Sequence, residues 1–293
     1  MSKAIANSEL ILNADGSIYH LGLRPEHLAS TVITVGDPQR VEKVSSYFDE
    51  ITFKQQKREF VTHTGRMGNQ HITVIATGIG TDNIDIVFNE LDALVNIDFE
   101  TRLPKEKHTA LDIIRIGTSG SIRADLPIDN FLVSNYAIGL EGLMLFYAQQ
   151  QSEEEITLKQ NFADYLKKQN FDFPIPPTIQ KASDKLLQKF QTSNWNQGIT
   201  LTATGFYAPQ NRQLRATSVV ADLFDVVHDF EYQDLNITNL EMETAGIYGL
   251  SRILGHHAIS LNAILANRPT GKFTNDPKGM EERIIEAAFK ALF

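Results

Sequence analysis

The sequence predicts an α/β fold with a mostly parallel or mixed sheet. Three observations point there. Short apolar runs rich in β-branched residues alternate with longer helical patterns. Several of these runs stop at a glycine and lead on to a helix. The alternation continues to the C-terminus with no internal repeat and no low-complexity linker.

The elements follow in order. Thr31-Val32-Ile33-Thr34-Val35 is a β-branched run ending at Gly36. His71 to Thr77 ends at Gly78, and Asp112 to Ile116 ends at Gly117. Phe131-Leu132-Val133, Ile199 to Ala203 and Ala258 to Ala266 supply the later strands. Helical patterns cover Gln39 to Phe48, Asn83 to Val95, Ile156 to Lys168, Ser183 to Thr192, Met242 to Leu254 and Gly279 to Phe293. Asp98 to Thr109 is charged and holds a proline, and Gln149 to Glu155 is polar throughout. Both read as surface excursions, because the strand-turn-helix rhythm resumes after each. Residues 1–293 therefore read as one domain, with 1–17 an N-terminal extension and 98–109 a surface insertion.

Composition narrows the function. With 42% hydrophobic and 22% charged residues the chain has the mix of a soluble globular protein. It has no cysteine, which excludes a disulfide framework, a thiol nucleophile and a thiolate metal site. The net charge is −9, and the arginines occur singly rather than in a basic stripe, so nucleic acid is not the expected partner. Isolated positive charges in an acidic protein suit a small anionic ligand. No run approaches the roughly 18 apolar residues of a membrane span. Met1 to Asn13 lacks the apolar region of a secretory signal, so a cytoplasmic enzyme is the expectation.

Gly36-Asp37-Pro38-Gln39-Arg40 joins a strand to a helix. Gly36 permits a sharp turn and the close approach of a ligand. Asp37 is a favoured N-cap, and Pro38 fits the first helical position. Val41, Val44 and Phe48 give the apolar stripe. The helix N-terminus favours an anion, and Arg40 adds a bidentate donor. An ordinary capped helix with a surface arginine explains the same residues equally well.

Arg115-Ile116-Gly117-Thr118-Ser119-Gly120 puts an arginine in an apolar strand, which is costly unless it meets a carboxylate or an anionic ligand. The Gly-Thr-Ser-Gly stretch after it reads as a turn whose N–H groups and hydroxyls form a nest. Arg58 and His20, taken alone, are indistinguishable from a surface charge and a structural histidine. Phe206 can stack on a flat ring, and Gln210 and Arg212, two apart in an irregular turn, can reach one planar edge. Glu241 and Glu243 stand two residues apart at the threshold of a helix. One can bind sugar hydroxyls while the other packs or caps.

Taken as an ordered set, these pieces resemble the uridine phosphorylase branch of the nucleoside phosphorylase superfamily. The set runs from His20-Leu21-Gly22-Leu23 through Gly36 to Arg40, Arg58-Glu59-Phe60, Thr77-Gly78-Ile79-Gly80 and Arg115 to Gly120. It continues with Phe206-Tyr207, Gln210, Arg212, Glu241-Met242-Glu243 and Asn267-Arg268, and so covers residues 18–293. The resemblance implies a three-layer α/β/α fold of the phosphorylase/hydrolase type around a central mixed sheet. It implies that Gly36, Arg40, Arg115 and Thr118 bind phosphate, with Arg58 lent by a neighbouring subunit. It implies that His20, also from the neighbour, meets the sugar 5′-hydroxyl, and that Glu241, Met242 and Glu243 surround the ribose. Phe206, Gln210 and Arg212 would take the uracil, and Gln210, Arg212 and Glu243 would carry the catalysis.

The implied activity is phosphorolysis of uridine or a related pyrimidine nucleoside to free base and ribose 1-phosphate. Inorganic phosphate is the co-substrate; no metal or organic cofactor is needed. The implied assembly is a homodimer, in some relatives three dimers in a ring. Some members hold a monovalent cation at the dimer interface near the position of Glu59, and the residues leave open whether this chain does. The alternatives are a purine nucleoside phosphorylase, a nucleosidase, and a non-catalytic nucleoside-binding protein. The purine enzymes place an Asp after the last strand, where this chain reads Ala266-Asn267-Arg268-Pro269. Pro209 and Asn211 depart from the family's base loop, as Thr81-Asp82-Asn83 does from its second turn.

Overall fold

The computed structural model describes residues 3–192 and 194–293, so the first two residues of the expected N-terminal extension lie outside it. The chain divides into two compact units. One runs to Ile114 and includes Leu250–His257; the other comprises Arg115–Gly249 and Ala258–Phe293.

In the first unit, strand Thr31–Val35 pairs in parallel with strand Gln70–Ala76. Helix Pro38–Ser45 follows the first strand, and a meander of strands Glu50–Lys57 and Phe60–Met67 returns the chain antiparallel to the second. Asp37 caps the helix as expected, its carboxylate accepting from Gln39 N at 2.9 Å. The stripe of Val41 and Val44 is fully buried. Helix Thr81–Asn96 buries Ile84, Val87, Phe88, Leu91 and Leu94 on one face.

At the expected insertion the chain forms a two-residue-per-strand hairpin, Ile97–Asp98 with Leu103–Pro104. It is tied down by Lys105 N to Asn96 O, by Thr109 N to Asn96 Oδ1, and by His108 Nε2 to Leu254 O at 2.8 Å. His256 stands beside it, accepting Leu111 N–H on Nδ1 at 3.2 Å and turning Nε2 to within 3.3 Å of Asp92.

In the second unit, strand Asn196–Thr202 runs parallel to Phe131–Gly139 on one side and to Leu235–Glu241 on the other. Phe131–Gly139 also pairs antiparallel with Thr178–Lys181 and with Leu261 to Ala263. The sheet is thus mixed. Helix Glu153–Lys168 packs Leu158, Phe162 and Leu166 into a core with Ile138, Ile199, Leu201, Ile237 and Leu240. Helix Pro277–Leu292 closes the chain, burying Ile284, Ile285 and Ala288.

Three sequence expectations change. The Gly117 to Gly120 stretch is not a turn: strand Asp112–Ser121 runs through it, because Gly120 and Ser121 pair with Leu240 and Asn239. The expected excursion Gln149 to Glu155 holds a helix start. Ser152 and Glu155 form a reciprocal capping box, and Glu155 is buried with its second oxygen on Lys181 N. Ser183 to Thr192 shrinks to one helical turn, Asp184–Leu187, and a tighter turn, Gln188–Phe190, that buries Phe190. Gly78, with φ 72°, takes a left-handed conformation where the neighbouring strand ends.

Candidate active site

In the second unit, three parallel strands end together, with Gly139 and Glu241 both in register with Thr202. Ligands of open α/β sheets bind beyond such carboxyl ends. The loop that carries Phe206, Gln210 and Arg212 leaves one of these ends, and Glu241-Met242-Glu243 leaves the next.

The two glutamates have separate tasks. Glu241 is buried and accepts from Thr202 Oγ1 at 2.7 Å, Glu243 N at 2.9 Å and Thr244 N at 2.9 Å. It therefore caps helix Thr244–Ile253 and is tied back to the adjacent strand. Glu243 lies on the other side of Met242, which is half-buried, and takes Arg115 Nη2 at 2.7 Å. The sequence allowed Arg115 a carboxylate or an anionic ligand, and in this chain it meets carboxylates. Glu241 is 3.3 Å from the same nitrogen, and Nη1 donates to Asn262 Oδ1 at 3.0 Å. Burial acts to lower the Arg115 pKa, but the two glutamates outweigh it and hold the guanidinium above its ordinary value.

This side chain lies forward along its own strand, over Gly117. A Cβ on Gly117 would sit 2.0 Å from Arg115 Nη1, so the glycine's role is to leave that room. Thr118 is half-buried on the same strand, next to Ser119, whose hydroxyl accepts from Asn239 Nδ2 at 2.8 Å.

The loop from Phe206 to Arg212 is built around Arg212. Its Nη1 donates to Phe206 O at 2.8 Å and to Gln210 Oε1 at 2.5 Å, and its guanidinium lies 3.8 Å from the centre of the Phe206 ring. The sequence proposed these three residues as one group, and the fold brings them together. Phe206 is exposed and Gln210 is buried. Asn211 sits at φ 54°, which asparagine tolerates better than most residues and which turns the chain between Gln210 and Arg212. Burial, together with the charge of Arg268, pulls the Arg212 pKa down to about 10. Arg268 donates to the carbonyls of Gln210 and Asn211 at 3.2 and 3.0 Å. Nothing local in Asn267-Arg268 signals this loop-holding role.

The other expected residues lie in the first unit. Gly36 lies where strand Thr31–Val35 ends, and Arg40 is buried in the helix that follows. Thr77 N donates to Val35 O at 2.8 Å, joining the two strand ends. Arg58 stands at the exposed tip of the hairpin that joins Lys57 to Phe60, with φ 54°. A left-handed arginine at a two-residue turn costs free energy that glycine would not. Arg58 reaches over the Tyr19 ring at 5.5 Å, and Tyr19 meets His20 edge-on at 4.8 Å. The two residues assigned by resemblance to a neighbour's site thus share one patch. Glu59 is exposed beside Arg58.

Residues 30–292 match the family model described as the phosphorylase superfamily. The chain belongs to the phosphorylase superfamily. It is 28% identical over 273 residues to the uridine phosphorylase of Thermococcus kodakarensis, covering 93% of this chain and 86% of that one. It is 26% identical to the Haemophilus influenzae uridine phosphorylase, covering 94% and 96%. Its fold superposes with a TM-score of 0.86 on a Trypanosoma brucei nucleoside phosphorylase that shows uridine phosphorylase activity. That pair is 27% identical and covers 97% of this chain and 99% of the other. This superfamily member is an enzyme of the pentosyltransferase class, on the mixed α/β phosphorylase fold that the sequence predicted. No helix among the described residues is long and apolar enough to cross a membrane.

Proposed function

We propose that the chain is a uridine phosphorylase, converting uridine and phosphate to uracil and ribose 1-phosphate. The observation that carries this reading is the Phe206–Gln210–Arg212 group, an aromatic face next to a buried amide and a guanidinium of lowered pKa. An amide offers both a donor and an acceptor to an imide edge, and the guanidinium donates to a carbonyl oxygen. The relatives named uridine phosphorylase support the same choice.

Phosphate attacks the anomeric carbon, and the glycosidic bond breaks with its electron pair on the base. Arg212 and Gln210 stabilise the negative charge that develops on uracil. Glu243, oriented by Arg115, accepts from the ribose hydroxyls, with Met242 beside the sugar and Glu241 holding the turn. Gly36, Arg40, Arg115 and Thr118 are the proposed phosphate ligands. Arg58 and His20 act in a second copy of the chain, so the working form is a homodimer or a ring of such dimers. The reaction needs no organic cofactor. A cytoplasmic location suits a soluble enzyme of this chemistry.

The test is the initial rate on uridine, thymidine, inosine and 5′-methylthioadenosine with saturating phosphate. Uridine should have the highest kcat/KM. Faster cleavage of inosine would replace the pyrimidine assignment with a purine one.

A further inference from the structure

Glu90, on helix Thr81–Asn96, is far from His20 in sequence yet makes four contacts with that region. Its carboxylate accepts His20 N at 3.0 and 3.1 Å, Leu21 N at 2.8 Å, and faces His20 Nδ1 at 2.6 Å. A carboxylate that already accepts two backbone N–H groups is held as an acceptor. The ring nitrogen facing it therefore carries a proton, and in the neutral imidazole that leaves Nε2 as a lone pair. Nε2 makes no hydrogen bond among the described residues. The ring is packed edge-on against Tyr19 and remains 27% exposed, so its outer nitrogen is available to a ligand.

We infer that Glu90 is a positioning residue that fixes the His20 tautomer, so that Nε2 accepts a hydrogen bond from the 5′-hydroxyl of the nucleoside sugar. This rests on the uridine phosphorylase reading, in which His20 serves the sugar of a partner's site. Glu90 touches no substrate. It sets both the backbone entry to His20 and the direction of its ring. A hydroxyl is the ligand class such a nitrogen selects, because it can donate to the lone pair. An ether oxygen or a methyl group at that point cannot.

Two measurements test this. The first needs no substrate: selectively 15N-labelled histidine in the intact protein reports which nitrogen of His20 is protonated near neutral pH. The Nδ1–H tautomer is expected in wild type and should be lost in Glu90→Gln. An Nε2–H tautomer or an imidazolium in wild type would overturn the assignment. The second compares kcat/KM for uridine and 5′-deoxyuridine, which lacks only the hydroxyl. The preference for uridine should fall about tenfold in Glu90→Gln, in Glu90→Asp and in His20→Ala alike. Glu90→Gln added to His20→Ala should change it no further. Equal loss of both substrates, with the ratio kept, would mean Glu90 only supports the fold. No turnover of uridine by wild type would sink the functional reading instead, while the tautomer measurement would still decide the role of Glu90.

Discussion

Arg115 donates to Glu243 across 2.7 Å with both side chains buried, and Glu241 stands 3.3 Å from the same guanidinium nitrogen. Removing the arginine would leave two carboxylates without their cation. Arg115→Met should cost about 3–5 kcal/mol of unfolding free energy. Glu243→Gln added to it should recover part of that loss, since it removes one of the stranded charges. Urea unfolding of the two single variants and the double variant measures the coupling. Strictly additive losses would show that the pair does not act as a unit.

Gly117 is the space that Arg115 occupies. The Cβ of Gly117→Ala would fall 2.4 Å from Arg115 Cζ and force the guanidinium away from Glu243. The expected outcome is a loss of about 1–3 kcal/mol of stability. Uridine kcat/KM should fall more than about tenfold, since a misplaced group of this kind costs rate steeply. Wild-type kinetics in Gly117→Ala would show that the position of Arg115 is not needed for turnover.

Arg212 is expected to act on the leaving base and not on phosphate. Arg212→Ala should lower kcat for uridine about 10²–10³-fold, the usual loss when one charge-stabilising donor is removed. The KM for phosphate should stay within about twofold. Arg268→Ala should have a smaller effect, because it frees the Gln210 and Asn211 carbonyls without removing a base contact. Steady-state kinetics with each substrate varied in turn separates the cases. A large rise in phosphate KM for Arg212→Ala would reassign the loop.

Glu141 leaves the end of strand Phe131–Gly139, and burial pushes its carboxyl up to about 7, with the nearby Glu241 adding to the rise. The folded chain holds this proton more tightly than the unfolded chain, whose value is 4.5. The stabilising contribution is therefore complete below pH 4.5 and is lost as pH rises through 7. Its full size is at most about 3 kcal/mol. Glu141→Gln should flatten the decline of stability between pH 4.5 and 7 and be more stable than wild type at pH 8. Parallel curves of melting temperature against pH for the two proteins would contradict this.

Much of the fold was legible because its strands are apolar runs that end in glycine. Thr31–Val35 matches its predicted run residue for residue, and Gln70–Ala76 is displaced from its own by a single residue. What escaped were strands whose polar residues are satisfied by partners distant in sequence. Leu235–Glu241 looks too polar for a central strand until Asn239 is seen bonded to Ser119 and Thr200. Glu50–Lys57 alternates exposed and half-buried positions, and its lysines and glutamines hide that alternation.

The site divides in the same way. The Phe206, Gln210 and Arg212 group could be read locally, because loop neighbours meet whatever the fold does. That Glu241 would cap and Glu243 would face Arg115 could not, because the choice depends on Thr202, Asn262 and the room left at Gly117. Glu90 carries no local signal at all.

The proposed reaction is the cleavage of uridine with phosphate as the attacking group. The most direct measurement is purified protein with uridine, with and without inorganic phosphate, followed by 31P NMR and chromatography of the base. Uracil and ribose 1-phosphate are expected in equal amounts when phosphate is present, and no uracil without it. Uracil released at the same rate in phosphate-free buffer, with free ribose as the other product, would contradict it.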